Sequence, residues 1–461
     1  MRHPIRPPDF NVLLEKVIKE RPQRFLEIVA PLSTASSQDY LHWDKLKYKR
    51  PPEGFTHEEW WIQTKYARLS NRRFLPLNDQ AGSAFSFTLP DISLKLIEEI
   101  NRNLSGQIGV SEEVTNPTTR DRYVVSSLIE EAIHSSQLEG ASTTRKVAKD
   151  MIRSGRSPRD RDERMILNNY RAMQMIGELR DQRLTPELIC DIHRVVTEGT
   201  LTNPDASGRF QLPNEERVGV YTEYDELLHQ PPPAESLPDR IEQLCKFANG
   251  DLDTAYVPPI LRAITLHFML GYEHPFEDGN GRTARAIFYW SMLNQGFWLA
   301  EFVAISPFLK KAPGKYRDSY LYAETDDNDL TYFHVYHLGI LSRAIVRLYE
   351  YLEEKMKEAK RLRASLSTLS STFNHRQIAL LQHASKNPDA EFTAKSHSTS
   401  HRVAYETARQ DLMALEIRGL LNRTKQGREY IWIPAVDLSE VISATHSGRI
   451  GRSPRMGTAA P

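Results

Sequence analysis

The chain has 461 residues, with 60 Lys and Arg against 60 Asp and Glu, so no global charge excess points to nucleic acid or an anionic membrane. Its two cysteines exclude a disulfide framework, and no apolar stretch approaches the roughly 18 residues that cross a membrane. A length of this order predicts about three domains. The N-terminus lacks an apolar signal core, and we therefore expect a cytoplasmic protein with no membrane partner.

The periodicity predicts a mainly α-helical fold. Residues 1–100 combine short helical patterns with Pro-rich turns and predict a separate N-terminal helical extension. Residues 101–350 continue with amphipathic helices, one of which covers about 122–140 in "RYVVSSLIEEAIHSSQLEG". Another helix opens at Thr185, an N-cap residue followed by Pro186 in the first turn. We expect these helices to form a bundle.

Three segments depart from this helical pattern. Residues 203–235 place turn-forming residues around two strand-like runs, "RVGVYT" and "ELLHQ", which predict a small β-hairpin projecting from the bundle. Residues 366–435 have the order helix, turn, helix and hairpin, which is typical of a winged helix-turn-helix module. Residues 441–461 are rich in Gly, Ser, Pro and Arg and are predicted to be disordered.

The stretch "HPFEDGNGRTAR", residues 274–285, has the composition of an anion site. Gly279 and Gly281 let the oxygens of an anion approach the backbone at the start of the next helix. Free N–H groups and the positive end of the helix dipole favour negative charge at this position. Arg282 and Arg285 are three residues apart, so they share one helix face and can hold a polyphosphate.

Three more residues of the same window suit nucleotide chemistry. Asn280 can add an amide donor to the anion site. The carboxylate of Asp278 is a hard oxygen ligand, suited to a Mg²⁺ ion that bridges phosphates. A neutral imidazole at His274 can accept the proton of a hydroxyl that attacks phosphorus. The window therefore predicts a nucleotide site with a metal ligand and a general base.

This window resembles the signature of the Fic family, His-x-Phe-x-[Asp/Glu]-Gly-Asn-Gly-Arg-x-x-Arg, at every specified position. The resemblance extends over about residues 185–345. It implies a Fic-type helical bundle with a β-hairpin flap, which transfers AMP from ATP to a Ser, Thr or Tyr hydroxyl of a target protein. Glycine at position 281 favours AMP transfer over the kinase reaction of Doc-type relatives, which carry a bulkier basic residue there.

The resemblance also implies a role for each residue of the window. His274 would be the general base and Asp278 the Mg²⁺ ligand. Asn280 and the amides of the glycines would form the cradle for the α- and β-phosphates. Arg282 would hold the β-phosphate of ATP, and Arg285 the γ-phosphate.

A second motif, "SSQLEG" at 135–140, resembles the inhibitory pattern [Ser/Thr]-x-x-x-Glu-[Gly/Asn] of self-restrained Fic proteins. Ser135, Glu139 and Gly140 occupy the specified positions. A glycine can end the helix, which would let the Glu139 carboxylate pair with Arg285 in place of the γ-phosphate. A solvated acid at a helix end is the alternative interpretation of Glu139.

The remaining features leave the function open between classes. Tyr316 and Tyr320 are candidates for the nucleotide pocket or for the helical core. The alternatives to AMP transfer are a DNA-binding regulator with a nucleotide-sensing Fic domain, and AMP removal or transfer of another phosphoryl group by the same site. Self-modification and a homodimer stay open as well. The residues that could meet DNA are His397, Ser398, His401, Arg402 and Arg409, with Arg423, Lys425 and Arg428 on the wing.

Overall fold

The computed structural model describes residues 3–29, 39–104, 117–222, 224–253, 255–368, 373–387, 390–426, 429–435 and 438. The chain divides into two compact units, Met1–Leu348 and Tyr349–Pro461. The tail 441–461, which the sequence predicts to be disordered, lies outside the described residues. No helix among those described has the length and hydropathy that would let it cross a membrane.

The predicted mainly helical class is confirmed in the first unit, whose elements follow in chain order. Its helices up to the predicted hairpin are α1 (Phe10–Glu20), α2 (Pro22–Val29), α3 (Trp43–Leu46), α4 (His57–Leu69), α5 (Asp91–Leu104), α6 (Pro117–Leu138), α7 (Arg145–Ser154), α8 (Arg161–Glu178) and α9 (Pro186–Thr197). The later helices are α10 (Leu237–Ala248), α11 (Pro259–Glu273), α12 (Asn280–Asn294), α13 (Ser306–Lys311), α14 (Pro313–Thr325) and α15 (Thr331–Thr368), whose residues from Tyr349 onwards belong to the second unit. Short 3-10 turns cover Pro204–Ala206, Ala234–Ser236 and Trp298–Phe302.

Helices α11 and α12 form the core of this unit. Every residue of α11 except Pro259 and Gly271 is buried, as are nearly all residues of α12. A helix that is apolar on all sides is one that other elements surround, and the sequences "PILRAITLHFMLGYE" and "NGRTARAIFYWSMLN" fit this pattern. The six-residue loop that joins the two helices is therefore attached at both ends to deeply buried helices.

The sequence predicts a helical extension over the first hundred residues. The structure differs, because this segment also contains an antiparallel hairpin. Its strands are β1 (Arg73–Asn78) and β2 (Ala84–Phe87). Pro76 within "RFLPLN" disfavours a strand in the interior of a sheet, yet each strand of a two-stranded ribbon has a free edge that tolerates it. β2 is bridged to the turn between α14 and α15, where Ser86 O accepts from Leu330 N (2.8 Å).

A buried ionic cluster also joins this N-terminal segment to the bundle within the first unit. Lys65 on α4 forms ion pairs with Asp326 and, at 3.0 Å, with Asp327, and the side chains of Lys65 and Asp326 are each 2% exposed. Tyr332 donates to Asp326 (2.7 Å) and accepts from Arg68 (2.6 Å). A buried carboxylate is tolerated only while its cationic partners stay in place.

Replacing Lys65 by Gln is therefore expected to lower the free energy of unfolding by about 3–5 kcal/mol, because it leaves Asp326 buried without its closest cation. Urea unfolding measures this change. Lys246→Gln is the matched control, since Lys246 pairs with Glu242 at the surface and should change stability by no more than about 0.5 kcal/mol. Equal losses for the two variants would contradict the prediction.

Buried histidines between α11 and α15 should make the fold acid-sensitive. Burial lowers the pKa of His334 and of His337 to about 3, and that of His267 well below its ordinary value. The unfolded chain takes up protons at these positions below about pH 6.5, whereas the folded chain does not. The free energy of unfolding should therefore fall as the pH drops from about 6.5 towards 3, by up to about 1.4 kcal/mol per pH unit for each histidine.

Urea unfolding at a series of pH values between about 7.5 and 4.5 tests this dependence. His334→Gln should reduce the slope of stability against pH, because its uncharged side chain takes up no proton on unfolding. His375→Gln, at an exposed histidine, is the control and should leave the slope unchanged. A slope that stays the same in His334→Gln would refute the assignment.

The hairpin that the sequence predicts within residues 203–235 is present, with shorter strands than expected. β3 (Val220–Tyr221) pairs antiparallel with β4 (Leu227–His229). We call residues 217–233 the flap. Exposed apolar side chains on it include Tyr221, Tyr224 and Leu227.

The second unit has the predicted order of helices and hairpin. Its elements are α16 (His375–Lys386), α17 (Ala394–His401), α18 (Tyr405–Ile417), β5 (Leu421–Gln426) and β6 (Glu429–Pro434). β5 and β6 pair in register, and Phe392 adds a further bridge to Trp432. A hydrophobic core that includes Leu381, Leu412 and Trp432 lies between helices and hairpin.

Within this unit, the buried side chain of Asp411 contacts several polar side chains. It accepts hydrogen bonds from Asn374 (2.7 Å) and Arg376 (2.7 Å), and His397 Nε2 lies 3.3 Å from it. His397 is only 4% exposed, so it cannot face a nucleic-acid groove as the sequence had suggested. Of the predicted wing residues, Arg428 lies outside the described part of the chain.

Candidate active site

The loop between α11 and α12, residues 274–279, brings together the residues of the predicted window. α12 begins at Asn280, directly after Gly279, whose φ of 85° is in the left-handed region. A Cβ at Gly279 would lie 2.7 Å from Thr197, so both the backbone angle and the space require glycine. No side chain caps the N-terminus of α12, which leaves its first N–H groups available to an anion.

Asn280 has a different role in the structure from the one predicted for its side chain. Its Oδ1 accepts from the N–H of Phe276 (2.9 Å), and its Nδ2 donates to the carbonyl of Phe276 (2.8 Å). The amide therefore closes the loop upon itself rather than extending into the anion site. Asn280 can still contribute to anion binding through its backbone N–H, because it lies in the first turn of α12.

His193 on α9 supports the loop, and the sequence interpretation did not include it. Its ring stacks on Phe276, with centroids 3.7 Å apart. Nδ1 accepts from the N–H of Gly208 (3.0 Å), so Nε2 carries the proton and donates to the carbonyl of Asp278 (2.8 Å). Burial lowers the pKa of His193 to about 4, which keeps this neutral tautomer in place. A histidine 81 residues before the loop has no local signal that would identify it.

His274 ends α11 with a φ of 44°, which is unusual for a residue with a side chain. Its Nδ1 lies 3.3 Å from the carbonyl of Gly271, which places a proton on Nδ1 and the lone pair on Nε2. Burial lowers the pKa of His274 to about 4. The imidazole is therefore neutral near pH 7 and can accept a proton.

The two arginines of the window are buried on one side of α12. The side chain of Arg282 is 0% exposed, and it donates from Nη1 to the carbonyl of Val196 (3.1 Å). Its Nε and Nη2 are buried without a hydrogen-bond partner among the described residues. Burial lowers the pKa of this guanidinium. A buried cation with unused donors is costly, and an anionic ligand would satisfy it.

Asp278 lies at the rim of the loop, with a side chain that is 44% exposed. Its Oδ2 is 3.5 Å from Arg161, and its Oδ1 is 3.6 Å from Arg282. A single exposed carboxylate beside a phosphate site fits Mg²⁺, which usually takes one or two carboxylates together with substrate phosphates and water. Among the described residues, no group of three or more His, Cys, Asp or Glu side chains is arranged so that it could hold a metal ion.

Arg285 is held by residues of α6 and of the turn that follows it. Its Nε donates to Ser135 Oγ (2.8 Å), and its Nη2 donates to Ser135 O (3.1 Å) and to Glu139 Oε1 (2.7 Å). Arg285 is 2% exposed and Glu139 is 28% exposed. Burial disfavours the charged form of Arg285, but the Glu139 carboxylate outweighs this effect and raises the pKa of the guanidinium.

Glu139 also lies against the backbone of the loop. A Cβ placed on Gly281 would be only 2.2 Å from Glu139 Oε1. The carboxylate thus lies directly on the glycine where the oxygens of an anion are expected. Gly140, with a φ of 94°, ends the helical segment before it and directs Glu139 towards α12.

The two tyrosines that the sequence left open between pocket and core are close to the site. Tyr316 OH is 2.8 Å from His267 Nε2, and Tyr316 also interacts with Arg285. Tyr320 donates to the carbonyl of His267 (3.2 Å), and its hydroxyl would be 2.6 Å from a Cβ on Gly271. Both rings therefore pack against α11.

These features place two buried guanidinium groups and a neutral imidazole at the uncapped N-terminus of one helix, an arrangement that suits an anion. The family model described as Fic/DOC family matches residues 183–292, which include the whole loop and His193. This part of the chain is therefore similar to the Fic/DOC family.

Two relatives carry names that refer to an activity. Protein adenylyltransferase fic-1 of Caenorhabditis elegans is 27% identical over 169 residues, which cover 36% of this chain and 31% of the relative. Protein adenylyltransferase Fic of Nematostella vectensis is 25% identical over 184 residues, covering 38% and 40%. The chain thus matches well under half of the length of these curated relatives.

Solved structures of Fic proteins are also similar to this chain. A Fic family protein from Desulfovibrio desulfuricans G20 has a TM-score of 0.49 at 17% identity, covering 75% of this chain and 97% of that one. A segment of Fic-1 from C. elegans, residues 134–508, has a TM-score of 0.46 at 19% identity, with coverage of 76% and 90%.

Proposed function

We propose that this protein is a protein adenylyltransferase, which transfers AMP from ATP to a hydroxyl group of a target protein. The observation that carries the proposal is the pair of buried guanidinium groups, Arg282 and Arg285, on the free N-terminus of α12. The names of the two curated relatives support the same reaction. The target is a Ser, Thr or Tyr side chain, and self-modification is included.

In the proposed mechanism, the loop amides and the two arginines hold the triphosphate of ATP. Asp278 would hold Mg²⁺, and the bound ion would neutralise part of the phosphate charge. Nε2 of His274 accepts the proton of the acceptor hydroxyl as its oxygen forms a bond to the α-phosphorus. The bond from the α-phosphorus to the bridging oxygen breaks, and pyrophosphate leaves with the electron pair.

We further propose that Glu139 restrains this activity. Its carboxylate neutralises Arg285 and lies on Gly281, so it competes with the γ-phosphate for one cation and for the same space. α6 is fixed to the bundle, because Glu131 accepts from Tyr289 OH (3.0 Å) and from Ser306 N (3.0 Å). Release therefore needs only movement of the Glu139 side chain and its turn.

The test uses ATP labelled at either the α- or the γ-phosphate, Mg²⁺, and cell lysate, with wild type and Glu139→Gly. AMP transfer predicts that only the α-label enters protein, more strongly in Glu139→Gly. Transfer of the γ-label would identify a kinase instead. If neither label enters protein and wild type releases AMP from a pre-modified target, the site removes AMP.

For the second unit, we propose a winged helix-turn-helix module. The order of its three helices and hairpin, and the bridge from Phe392 to Trp432, support this assignment. Two of the residues that could meet DNA are not available for it, since His397 is buried and Arg409 on α18 pairs with Glu406 (3.0 Å). A module that docks proteins fits this mixed surface better.

A further inference from the structure

The end of α11 that carries His274 is covered by two side chains of the flap. Arg217 donates from Nη2 to the carbonyl of Glu273 (2.6 Å) and from Nη1 to that of His274 (3.2 Å). His229 Nε2 lies 2.7 Å from the carbonyl of Tyr272. Three consecutive carbonyls of the last helical turn thus accept hydrogen bonds from the flap.

Both flap side chains are cations. The two ring nitrogens of His229 face acceptors only, since Nδ1 is 2.7 Å from a carboxylate oxygen of Glu324 and Nε2 faces Tyr272 O. Both nitrogens must therefore be donors. Burial disfavours this charge, but Glu324 and the Tyr272 carbonyl outweigh it and raise the pKa of His229 above its ordinary value. Cations at the C-terminus of a helix interact favourably with its dipole and its free carbonyls.

Arg217 is itself held rigidly. Its Nε donates to the carbonyl of Pro232 at the far end of the flap (2.9 Å), and its Nη1 also contacts Gln211. All three nitrogens of the guanidinium make hydrogen bonds, so the group contacts the carbonyls of Glu273 and His274 in one orientation. The Arg217 side chain therefore links the backbone of the flap at Pro232 to the backbone at the end of α11.

The backbone of His274 requires such support. A left-handed φ of 44° is unfavourable for a residue with a Cβ and persists only where neighbouring groups fix it. The direction of the imidazole depends on this backbone, and in the observed geometry Nδ1 lies 3.3 Å from Gly271 O. Below the helix end, Glu273 forms an ion pair with Arg240 (2.7 Å), which anchors the same turn from the other side.

We propose that Arg217 and His229 are positioning residues of the base, which hold residues 272–274 so that Nε2 of His274 points towards the acceptor hydroxyl. This inference rests on the proposed role of His274 in AMP transfer. In this proposal the flap fixes the orientation of the His274 imidazole, so the packing of the flap affects the rate of proton transfer to His274.

The kinetic test uses Arg217→Gln, Arg217→Lys and His229→Gln in the Glu139→Gly background. A small misplacement of the base should lower kcat by about 10- to 100-fold in Arg217→Gln, while KM for ATP changes by less than about threefold. Arg217→Lys keeps one donor and should recover part of the loss. Arg209→Gln is the matched control, since Arg209 bonds to Asp205, Phe210 and Glu215 and should leave kcat unchanged.

A second readout does not depend on activity. In protein with ¹⁵N-labelled histidine, the signals of His274 are assigned by their loss in His274→Ala. We expect a single tautomer, protonated at Nδ1, in wild type and a mixture of tautomers in Arg217→Gln. A single tautomer and an unchanged kcat in Arg217→Gln would overturn the inference, and so would equal loss of kcat in Arg209→Gln.

The two readouts also separate this inference from the proposed function. If no variant transfers AMP, including the parent Glu139→Gly, the proposed function fails. The tautomer of His274 still reports in that case whether Arg217 positions the imidazole.

Discussion

In the Glu139→Gly background, His274→Ala is expected to lower the rate of AMP transfer by about 10²- to 10⁴-fold, the usual contribution of a general base. The loss follows from the chemistry of the side chain. Nδ1 is committed to the carbonyl of Gly271, so Nε2 is the nitrogen that can accept the hydroxyl proton. Initial rates with α-labelled ATP measure the effect.

The same residue predicts the shape of the pH profile. Burial lowers the pKa of His274 to about 4, so the imidazole stays neutral from pH 8 down to about pH 5, and its protonation does not limit the rate there. Activity should fall through this group only as the pH approaches 4. A rate that falls with an apparent pKa near 6.5 would show that His274 is not the base in this environment.

The controls for His274→Ala separate chemistry from binding and folding. ATP affinity, measured by calorimetry, should change little, because the proposed mechanism assigns the phosphates to the loop amides, Arg282 and Arg285. His57→Ala, at a partly exposed histidine of α4, should leave the rate unchanged. If His274→Ala lost ATP affinity in proportion to its rate, the residue would be a binding residue only.

Glu139→Gly is expected to raise ATP affinity by about 10- to 100-fold and to raise AMP transfer with it. In wild type, ATP must displace a hydrogen bond between two charged groups. Such a bond contributes about 1.5–3 kcal/mol, which corresponds to the expected gain in affinity. That bond joins Glu139 Oε1 to Arg285 Nη2 at 2.7 Å. Calorimetry with ATP and Mg²⁺ measures the affinity.

The thermal stability of the same variant gives an independent test. Without ATP, Glu139→Gly leaves the buried Arg285 without its carboxylate, so Tm should fall. With ATP, Tm should rise by more than it does in wild type, because ligand binding now stabilises the folded state more strongly.

A second variant of the same residue, Glu139→Gln, removes the carboxylate charge with little change in side-chain size. Its matched control is Glu130→Gln. Glu130 is on α6, the helix that precedes Glu139, and pairs with Arg145 and Lys149, away from the loop. Glu130→Gln should leave ATP affinity unchanged. An equal effect of the two variants would refute a specific restraint by Glu139.

The sequence by itself determined the local features of this protein. Helical periodicity predicted the mainly helical class, and the window 274–285 placed the histidine, carboxylate, glycines and arginines at the start of one helix. These predictions depend on residues a few positions apart, whose relative places are fixed as soon as the helix forms.

Only the tertiary structure decided which distant groups meet. His193, Arg217 and His229 contact the loop or the end of α11 from 43 to 85 residues away in the chain, and no local pattern indicates such contacts. The same holds for the β1–β2 hairpin, whose short strands carry a proline and are held by the turn at Leu330. Burial, too, comes from packing: it leaves Arg282 with unused donors and places His397 on Asp411. The sequence thus specifies the reactive groups, and the packing of distant elements sets their orientation, protonation and accessibility.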